Sequence, residues 1–198
     1  WGNYTGLNQI ELTVSRDLHN WDRVADRDIF IGVEPWDELN YLTSQTTMAG
    51  QPTIHDNKEI WIYHGANRFR GPLSIYPNEY QKYADDSGAL YLSKLRLDGF
   101  VSLDAREHGT VLSSPFDITD GELHINCDAL DGLIRAELVD AETSVPLPGL
   151  SALESNPIRG DHLDETLTWK TRQVSNQDRP VKIRFILEHA RLYAFWIA

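Results

Sequence analysis

The sequence predicts an all-β protein, and three observations support this fold class. Polar and apolar residues alternate with a period of two in several segments. Turn signals separate these segments at intervals of about 8–12 residues, a spacing typical of β-sandwiches and barrels. Residues 78–85 have room for one or two helical turns, and helical periodicity is otherwise weak.

The first half of the chain contains three clear strand signals. Residues 9–14 alternate strictly between polar and apolar side chains, which predicts a half-buried strand. Residues 51–54 and 59–63 flank a polar turn, so they predict a β-hairpin. Residues 90–97 alternate as well and end at the turn pair that begins with Asp98.

The second half differs in composition and adds a second series of strands. Residues 1–99 hold four of the six tryptophans and seven of the eight tyrosines, and the later part is more aliphatic. This shift predicts a domain boundary near residue 100, with domains at 1–103 and 104–198. The strands predicted for the second domain cover residues 109–116, 122–127, 133–139, 167–174, 181–187 and 190–197.

Charge and composition exclude several classes of partner. The formal net charge is −12, and an acidic chain repels phosphate backbones, so nucleic acid is not a predicted partner. No apolar run approaches the roughly 18 residues of a membrane helix, so no membrane partner is predicted either. The single cysteine, Cys127, lies in an alternating segment and is expected to pack in the core.

Four motifs, in order along the chain, carry a family resemblance. The first is the Ser-x-Asp-x-x-x-Trp pattern of residues 15–21, in which Asp17 is expected to accept backbone N–H groups of a turn. The others are residues 35–45 (PWDELNYLTSQ), 60–65 (IWIYHG) and 95–105 (LRLDGFVSLDA). Together they resemble the blades and the propeller-to-sandwich junction of five-bladed glycosidases of the invertase-like superfamily.

The resemblance implies both a fold and a function. It implies a partial β-propeller, the last one or two blades, over residues 1–103, followed by an antiparallel β-sandwich over residues 104–198. It implies the C-terminal portion of a glycoside hydrolase that acts on a poly- or oligosaccharide. The main catalytic carboxylates of that family would lie upstream, so the fragment is expected to be inactive.

The cluster around Trp36 supplies the candidate site residues. Asp37 and Glu38 are the catalytic candidates, because they precede a predicted inner strand at residues 42–47. Hydrolysis needs two carboxyl groups, roughly 5–5.5 Å apart for retention and roughly 6.5–9.5 Å apart for inversion. Neighbouring residues on an extended chain point to opposite faces, so at most one of the two would act, with a partner from a missing blade. The substrate-binding candidates are Trp36, Tyr41, His64 and Arg68.

Two other functions remain open for the second domain. It is either a non-catalytic carbohydrate-binding module or a purely structural sandwich. The binding alternative depends on the late aromatic residues, because tryptophan and tyrosine combine a flat apolar surface with a polar tip. These residues are Trp169, Tyr193, Phe195 and Trp196.

No cofactor and no metal are predicted, because the seven histidines lack paired spacing. Asp161, Asp164 and Glu165 are the nearest approach to a calcium group, without the spacing of a known loop. The predicted partners are carbohydrate and either the missing N-terminal blades or another copy of the chain. The resemblance implies a secreted or periplasmic protein, and residues 3–5 (NYT) match a glycosylation acceptor.

Overall fold

The computed structural model describes residues 6–172, 174 and 177–198, and it confirms the all-β class. The glycosylation motif at residues 3–5 lies outside the described residues. Short 3-10 helices cover Ala25–Arg27, Leu73–Ile75 and Asn78–Tyr83. The strands are β1 Ile10–Glu11, β2 Thr13–Val14, β3 Asp22–Arg23, β4 Ile29–Ile31, β5 Gln45–Met48, β6 Thr53–His55, β7 Glu59–Asn67, β8 Gly88–Arg96, β9 Leu103–Leu112, β10 Leu123–Asp140, β11 Ile158–Thr166 and β12 Val181–Ile197.

The chain divides into two compact units, Trp1–Lys94 and Leu95–Ala198. The division precedes the predicted domain boundary between residues 103 and 104. Below, the first is called the N-terminal unit and the second the C-terminal unit.

The N-terminal unit is organised around a sheet of β5, β7, β6 and β8, in which β7 pairs with each of the other three strands. The predicted hairpin is confirmed as β6 and β7. Its three-residue connection holds Asp56 and Asn57 at positive φ, a region that Asp and Asn enter more readily than most other residues. Side chains alternate along β7, so that Ile60 and Ile62 are buried on one face while Tyr63 is exposed on the other.

The predicted strand at residues 9–14 is split into two shorter pieces. β1 pairs with β4, whereas β2 pairs with β3 in a separate two-stranded ladder. Val14 is consequently exposed, and the continuous apolar face expected from the alternation does not form.

The turn at residues 15–21 forms as expected from its sequence. The Asp17 carboxylate accepts the backbone N–H groups of His19 at 2.8 Å and Asn20 at 2.7 Å. These hydrogen bonds, with the one from the Asn20 side chain, lower the pKa of Asp17 well below its usual range. Trp21 donates to the Leu18 carbonyl and keeps 57 % of its surface exposed.

The C-terminal unit is built on one antiparallel sheet in the order β11, β10, β12, β9, curled into a half-barrel. β10 has 18 residues and β12 has 17, and each covers two segments that the sequence predicted as separate strands. The pairing register shifts between Asp128 and Leu133 of β10, where it pairs with β12, and between Glu188 and Ala190 of β12, where it pairs with β9. Such bulges bend a strand sharply, and here they allow two long strands to curl without ending.

Gly132 makes the bend in β10 possible. A Cβ atom at this position would lie 1.8 Å from the Glu188 carbonyl oxygen, so no larger residue fits there without a backbone shift. On the opposite strand His189 adopts a φ of 44°, a left-handed conformation that is rare outside glycine.

The buried core of the C-terminal unit is mostly aliphatic and includes Phe185, which is fully buried. Cys127 is buried in the same core, as predicted, and burial raises the pKa of its thiol to about 11. The thiol is therefore protonated and unreactive at neutral pH.

The prediction of a strand at residues 167–174 is wrong for residues 167–172 and 174, which the structure describes. The strand β11 is not among the strands predicted from the sequence. The chain leaves the sheet after Thr166, and Trp169 forms only an isolated bridge with Ser155. β11 lies at the edge of the sheet and carries many charged side chains, a composition that protects sheet edges from unwanted pairing. Its sequence therefore lacks the alternation by which the other strands were recognised.

Candidate functional site

Most of the predicted site residues lie together in the N-terminal unit. Trp36, Asp37 and Glu38 belong to a loop between β4 and β5, and Tyr41 follows in the same loop. Arg68 lies just after β7, and its guanidinium group reaches back to this loop. His64 lies within β7 itself, on the buried face of the sheet.

Arg68 contacts the loop that contains Glu38 and Tyr41 through its buried guanidinium group. Its side chain is only 3 % exposed, and its Nη1 donates to the Glu38 carbonyl oxygen at 2.6 Å. The guanidinium carbon lies 4.1 Å from the centre of the Tyr41 ring and 5.0 Å from that of Tyr83. Asp86 lies 3.8 Å from Nη2 and also accepts the Tyr41 hydroxyl. These contacts support a positioning role for Arg68, because the group that would meet a ligand is enclosed by protein.

Trp36 sits at the edge of an aromatic cluster formed with Phe69, Tyr76, Tyr80 and Tyr83. Its ring meets those of Tyr80 and Tyr83 nearly edge to face, at centroid distances of 5.6 and 5.8 Å. This geometry is favourable for aromatic quadrupoles and holds the indole in one orientation. Trp36 nevertheless keeps 44 % of its surface exposed, so part of a large apolar side chain is accessible to a ligand.

The pocket beside Trp36, called the Trp36 pocket below, has a volume of about 200 Å³. It is lined by Trp36, Glu38, Glu79, Tyr80, Lys82 and Tyr83. The 3-10 helix Asn78–Tyr83 supplies four of these side chains, because its tight turns bring residues 79, 80, 82 and 83 to one rim. The sequence predicts a helical turn at residues 78–85, but it carries no signal that links this turn with Trp36.

The carboxylates of the loop differ in their surroundings. Asp37 accepts the backbone N–H of Leu39 at 2.7 Å, which closes a local turn. The Glu38 carboxylate lies 3.1 Å from Lys82 Nζ, and the hydrogen bonds from Lys82 and Tyr83 lower its pKa. The same contact with Glu38 raises the pKa of Lys82, so both groups carry their charges at neutral pH. An ionised Glu38 is poorly suited to donate a proton to a leaving group.

His64 is 1 % exposed and is held by hydrogen bonds at both ring nitrogens. Thr46 Oγ1 on β5 lies 2.8 Å from Nδ1, and Ser93 Oγ on β8 lies 2.9 Å from Nε2. Burial lowers the pKa of this imidazole, which favours the neutral ring. The contacts support a role in joining three strands and leave no ring nitrogen for a ligand.

A larger cavity of about 540 Å³ occurs in the C-terminal unit, where the bulges of β10 and β12 meet. Asp104, Asp128, Asp131, Arg106, Arg191 and His189 contribute to its lining. Arg191 Nε lies 3.4 Å from Asp104, and its Nη1 lies 3.9 Å from Asp128, so these charges are partly neutralised within the cavity wall. The bulges that form this cavity have no sequence signal beyond Gly132.

The late aromatic residues are engaged within the C-terminal unit. Trp169 is buried and donates its Nε1–H to the Ala136 carbonyl. Tyr193 lies under the Arg96 guanidinium at 4.3 Å, and Trp196 stacks with His124 at 5.6 Å. Phe195 packs on Phe185 in the core.

The three acidic residues that come nearest to a calcium pattern in the sequence are each paired with a cationic or titratable side chain. Asp161 contacts Arg96, Asp164 contacts His124, and Glu165 contacts His162. Within residues 6–172, 174 and 177–198, no three His, Cys, Asp or Glu side chains group closely enough to hold a metal ion.

Comparison of the chain with protein-family models gave no match, and searches of curated proteins and of solved structures gave none either. Among the described residues, no helix has both the length and the apolar character needed to cross a membrane.

Proposed function

We propose that this chain binds an oligo- or polysaccharide through the Trp36 pocket, without cleaving it. The observation that carries this proposal is the exposed Trp36 indole, fixed by edge-to-face contacts with Tyr80 and Tyr83 and flanked by charged side chains. Sugars present apolar C–H faces that pack on such a ring, and hydroxyl groups that bond to carboxylate and ammonium groups at its rim.

Binding is favoured over hydrolysis by the state of the carboxylates. Glu38 is ionised and paired with Lys82, and Asp37 is used in a local turn. Glycoside hydrolysis requires one carboxyl group that stays protonated near neutral pH and a second that stays ionised. The contacts of Glu38 lower its pKa, which is the opposite of what a proton donor requires. This agrees with the proposal that the chain is the C-terminal portion of a propeller glycosidase whose reactive carboxylates lie upstream.

For the C-terminal unit the structural alternative is favoured over a binding module. Its four late aromatic rings contact protein groups, and none of the four belongs to the large exposed hydrophobic residues. We therefore propose that the half-barrel contributes stability, with sugar recognition confined to the N-terminal unit.

The test is glycan binding by the whole chain, measured by isothermal titration against soluble oligosaccharides of plant and algal origin. Trp36→Ala is expected to weaken binding by up to about tenfold, since an aromatic contact contributes roughly 0.5–1.5 kcal/mol. Trp21→Ala is the matched control, because Trp21 is an exposed tryptophan of the same unit outside the aromatic cluster. Circular dichroism and thermal unfolding establish that both variants keep the fold.

Failure of the wild-type chain to bind any member of the panel would overturn the proposal. Equal weakening by Trp36→Ala and Trp21→Ala would also overturn it, because the effect would then not belong to the pocket. Loss of binding in Trp196→Ala, with Trp36→Ala unaffected, would move the site to the C-terminal unit and restore the binding-module alternative.

A further inference from the structure

We infer that the Trp36 pocket prefers a cationic sugar, one that carries a free amino group, over neutral and acidic sugars. This inference rests on the proposed function, because it names the class of glycan that the same site takes. It depends on three features of the pocket: an unpaired carboxylate, an exposed indole ring and an internal example of ammonium binding.

The unpaired carboxylate is Glu79. The pocket contains two carboxylates and one ammonium group, those of Glu38, Glu79 and Lys82. Lys82 is bound to Glu38 at 3.1 Å, which leaves Glu79 as the excess negative charge. Among the described residues, no hydrogen bond or ion pair engages the Glu79 carboxylate, and the residue is exposed at the pocket rim. A cationic ligand would neutralise this charge, whereas a uronic acid would be repelled by it.

The exposed indole adds a second attraction for a cation. Tryptophan has the strongest cation–π interaction of the aromatic side chains, and it operates when the cation lies within about 6 Å of the ring centroid. Trp36 and Glu79 line the same small pocket, so one bound amino sugar can place its ring on the indole and its ammonium near the carboxylate. A neutral sugar would gain only the first of these contacts.

Lys82 provides the internal example. Its Nζ lies 3.1 Å from the Glu38 carboxylate and 4.8 Å from the centre of the Tyr83 ring. An ammonium group in contact with a carboxylate and an aromatic ring is therefore already present in the lining of this pocket. Glu79 and Trp36, in the same lining, are a second carboxylate and a second aromatic ring that a ligand can meet. The net charge of −12 adds a long-range field that favours cations at low ionic strength.

The experiment compares three oligosaccharides by titration of the whole chain. The probes are a chitosan oligosaccharide with free amines, its fully N-acetylated counterpart and an oligogalacturonate. Measurements are made near pH 5.5, where the sugar amine is protonated and ordinary carboxyl groups, with a pKa of about 4, are ionised. The free-amine form is expected to bind about two- to fivefold more tightly than the acetylated form, the range of a solvent-exposed ion pair. The oligogalacturonate is expected to bind most weakly.

Substitutions test whether Glu79 causes the preference for the free-amine oligosaccharide. Glu79→Gln keeps the shape of the side chain and is expected to abolish the preference for the free-amine form. Glu107→Gln, an exposed position on β9 of the C-terminal unit, removes the same charge elsewhere and is expected to leave the preference intact. Lys82→Gln removes the competing ammonium from Glu38 and is expected to increase the preference. High salt is expected to reduce it in the wild-type chain.

The outcomes separate this inference from the proposed function. Equal affinity for the free-amine and acetylated forms, with both lost in Trp36→Ala, would overturn the inference and leave glycan binding standing. A preference that survives in Glu79→Gln would overturn the assignment to the pocket charge. Absence of binding to every glycan tested here and in the wider panel would overturn the proposed function as well.

Discussion

The two units of this chain reach stability by different means. The C-terminal unit has strands of up to 18 residues and a contiguous aliphatic core around Phe185. Apart from β7 and β8, the strands of the N-terminal unit have two to four residues, and few apolar side chains are buried there beside the polar side chains of Thr46, His64 and Arg68. A sheet that buries little apolar surface depends more on hydrogen bonds and aromatic contacts for its structure.

The two units also differ in the aromatic surface that they offer to a ligand. Aromatic rings of the C-terminal unit contact its own protein groups, whereas the N-terminal unit keeps Trp36 partly exposed. The exposed part of Trp36 offers a binding surface that a closed core does not. The comparison therefore predicts that truncating a buried apolar side chain lowers the free energy of unfolding more in the C-terminal unit than in the N-terminal unit. It also predicts that replacing a buried polar side chain has a measurable effect on the stability of the N-terminal unit.

The largest expected effect is that of Phe185→Ala in the C-terminal core. Phe185 is fully buried and packs on Phe195 at a centroid distance of 5.4 Å. Its truncation leaves a cavity and is expected to lower the free energy of unfolding by about 3–5 kcal/mol. Urea denaturation measures the change, and Leu130→Ala, at an exposed position of β10, is the control with about 0.5 kcal/mol or less. A loss near that of the control would show that this core is not closely packed.

A smaller effect is expected from Ile62→Ala in the N-terminal unit. Ile62 is buried on one face of β7, but it lies outside the contiguous buried core that contains Phe185. The expected loss is about 2–3 kcal/mol, at the lower end of the range for such truncations. Hydrogen exchange of the β7 amides measures the loss within this unit, and Ile54→Ala, exposed on β6, is the control. A loss as large as that of Phe185→Ala would contradict the contrast between the units.

The smallest effect concerns pH and tests the polar interior. Burial lowers the pKa of His64 below its unfolded value of about 6.5, so protonation favours the unfolded chain. The stability contributed by the neutral ring is present above the unfolded pKa and is lost as pH falls below it. The free energy of unfolding is therefore expected to fall less between about pH 7 and pH 5 in His64→Gln than in the wild-type chain.

The matched control for this measurement is His19→Gln, which replaces an exposed histidine of the same unit. It is expected to keep the wild-type pH dependence. An unchanged pH dependence in His64→Gln would contradict the assignment of a neutral, hydrogen-bonded ring to this position.

Local features of the fold followed well from sequence because their causes are local. The turn of Asp17, the hairpin of β6 and β7, and the short helix after Pro77 depend on residues within a few positions of each other. The candidate loop at Trp36 was also recognised from its composition. Its partners Tyr80, Lys82 and Tyr83 were not, because they lie more than forty residues away and no periodic pattern links them to the loop.

The sequence by itself determined the all-β class, the tight turns and the buried state of Cys127, because alternation and turn chemistry act between near neighbours. Only the tertiary structure decided that β10 and β12 run on through bulges, that Arg68 is enclosed beneath the Glu38 loop, and that His64 is used between strands. The physical reason is that these features depend on contacts between distant segments. The strand that lies opposite decides whether a polar side chain faces solvent or a buried partner. The spacing of residues within one segment does not predict which strand that is.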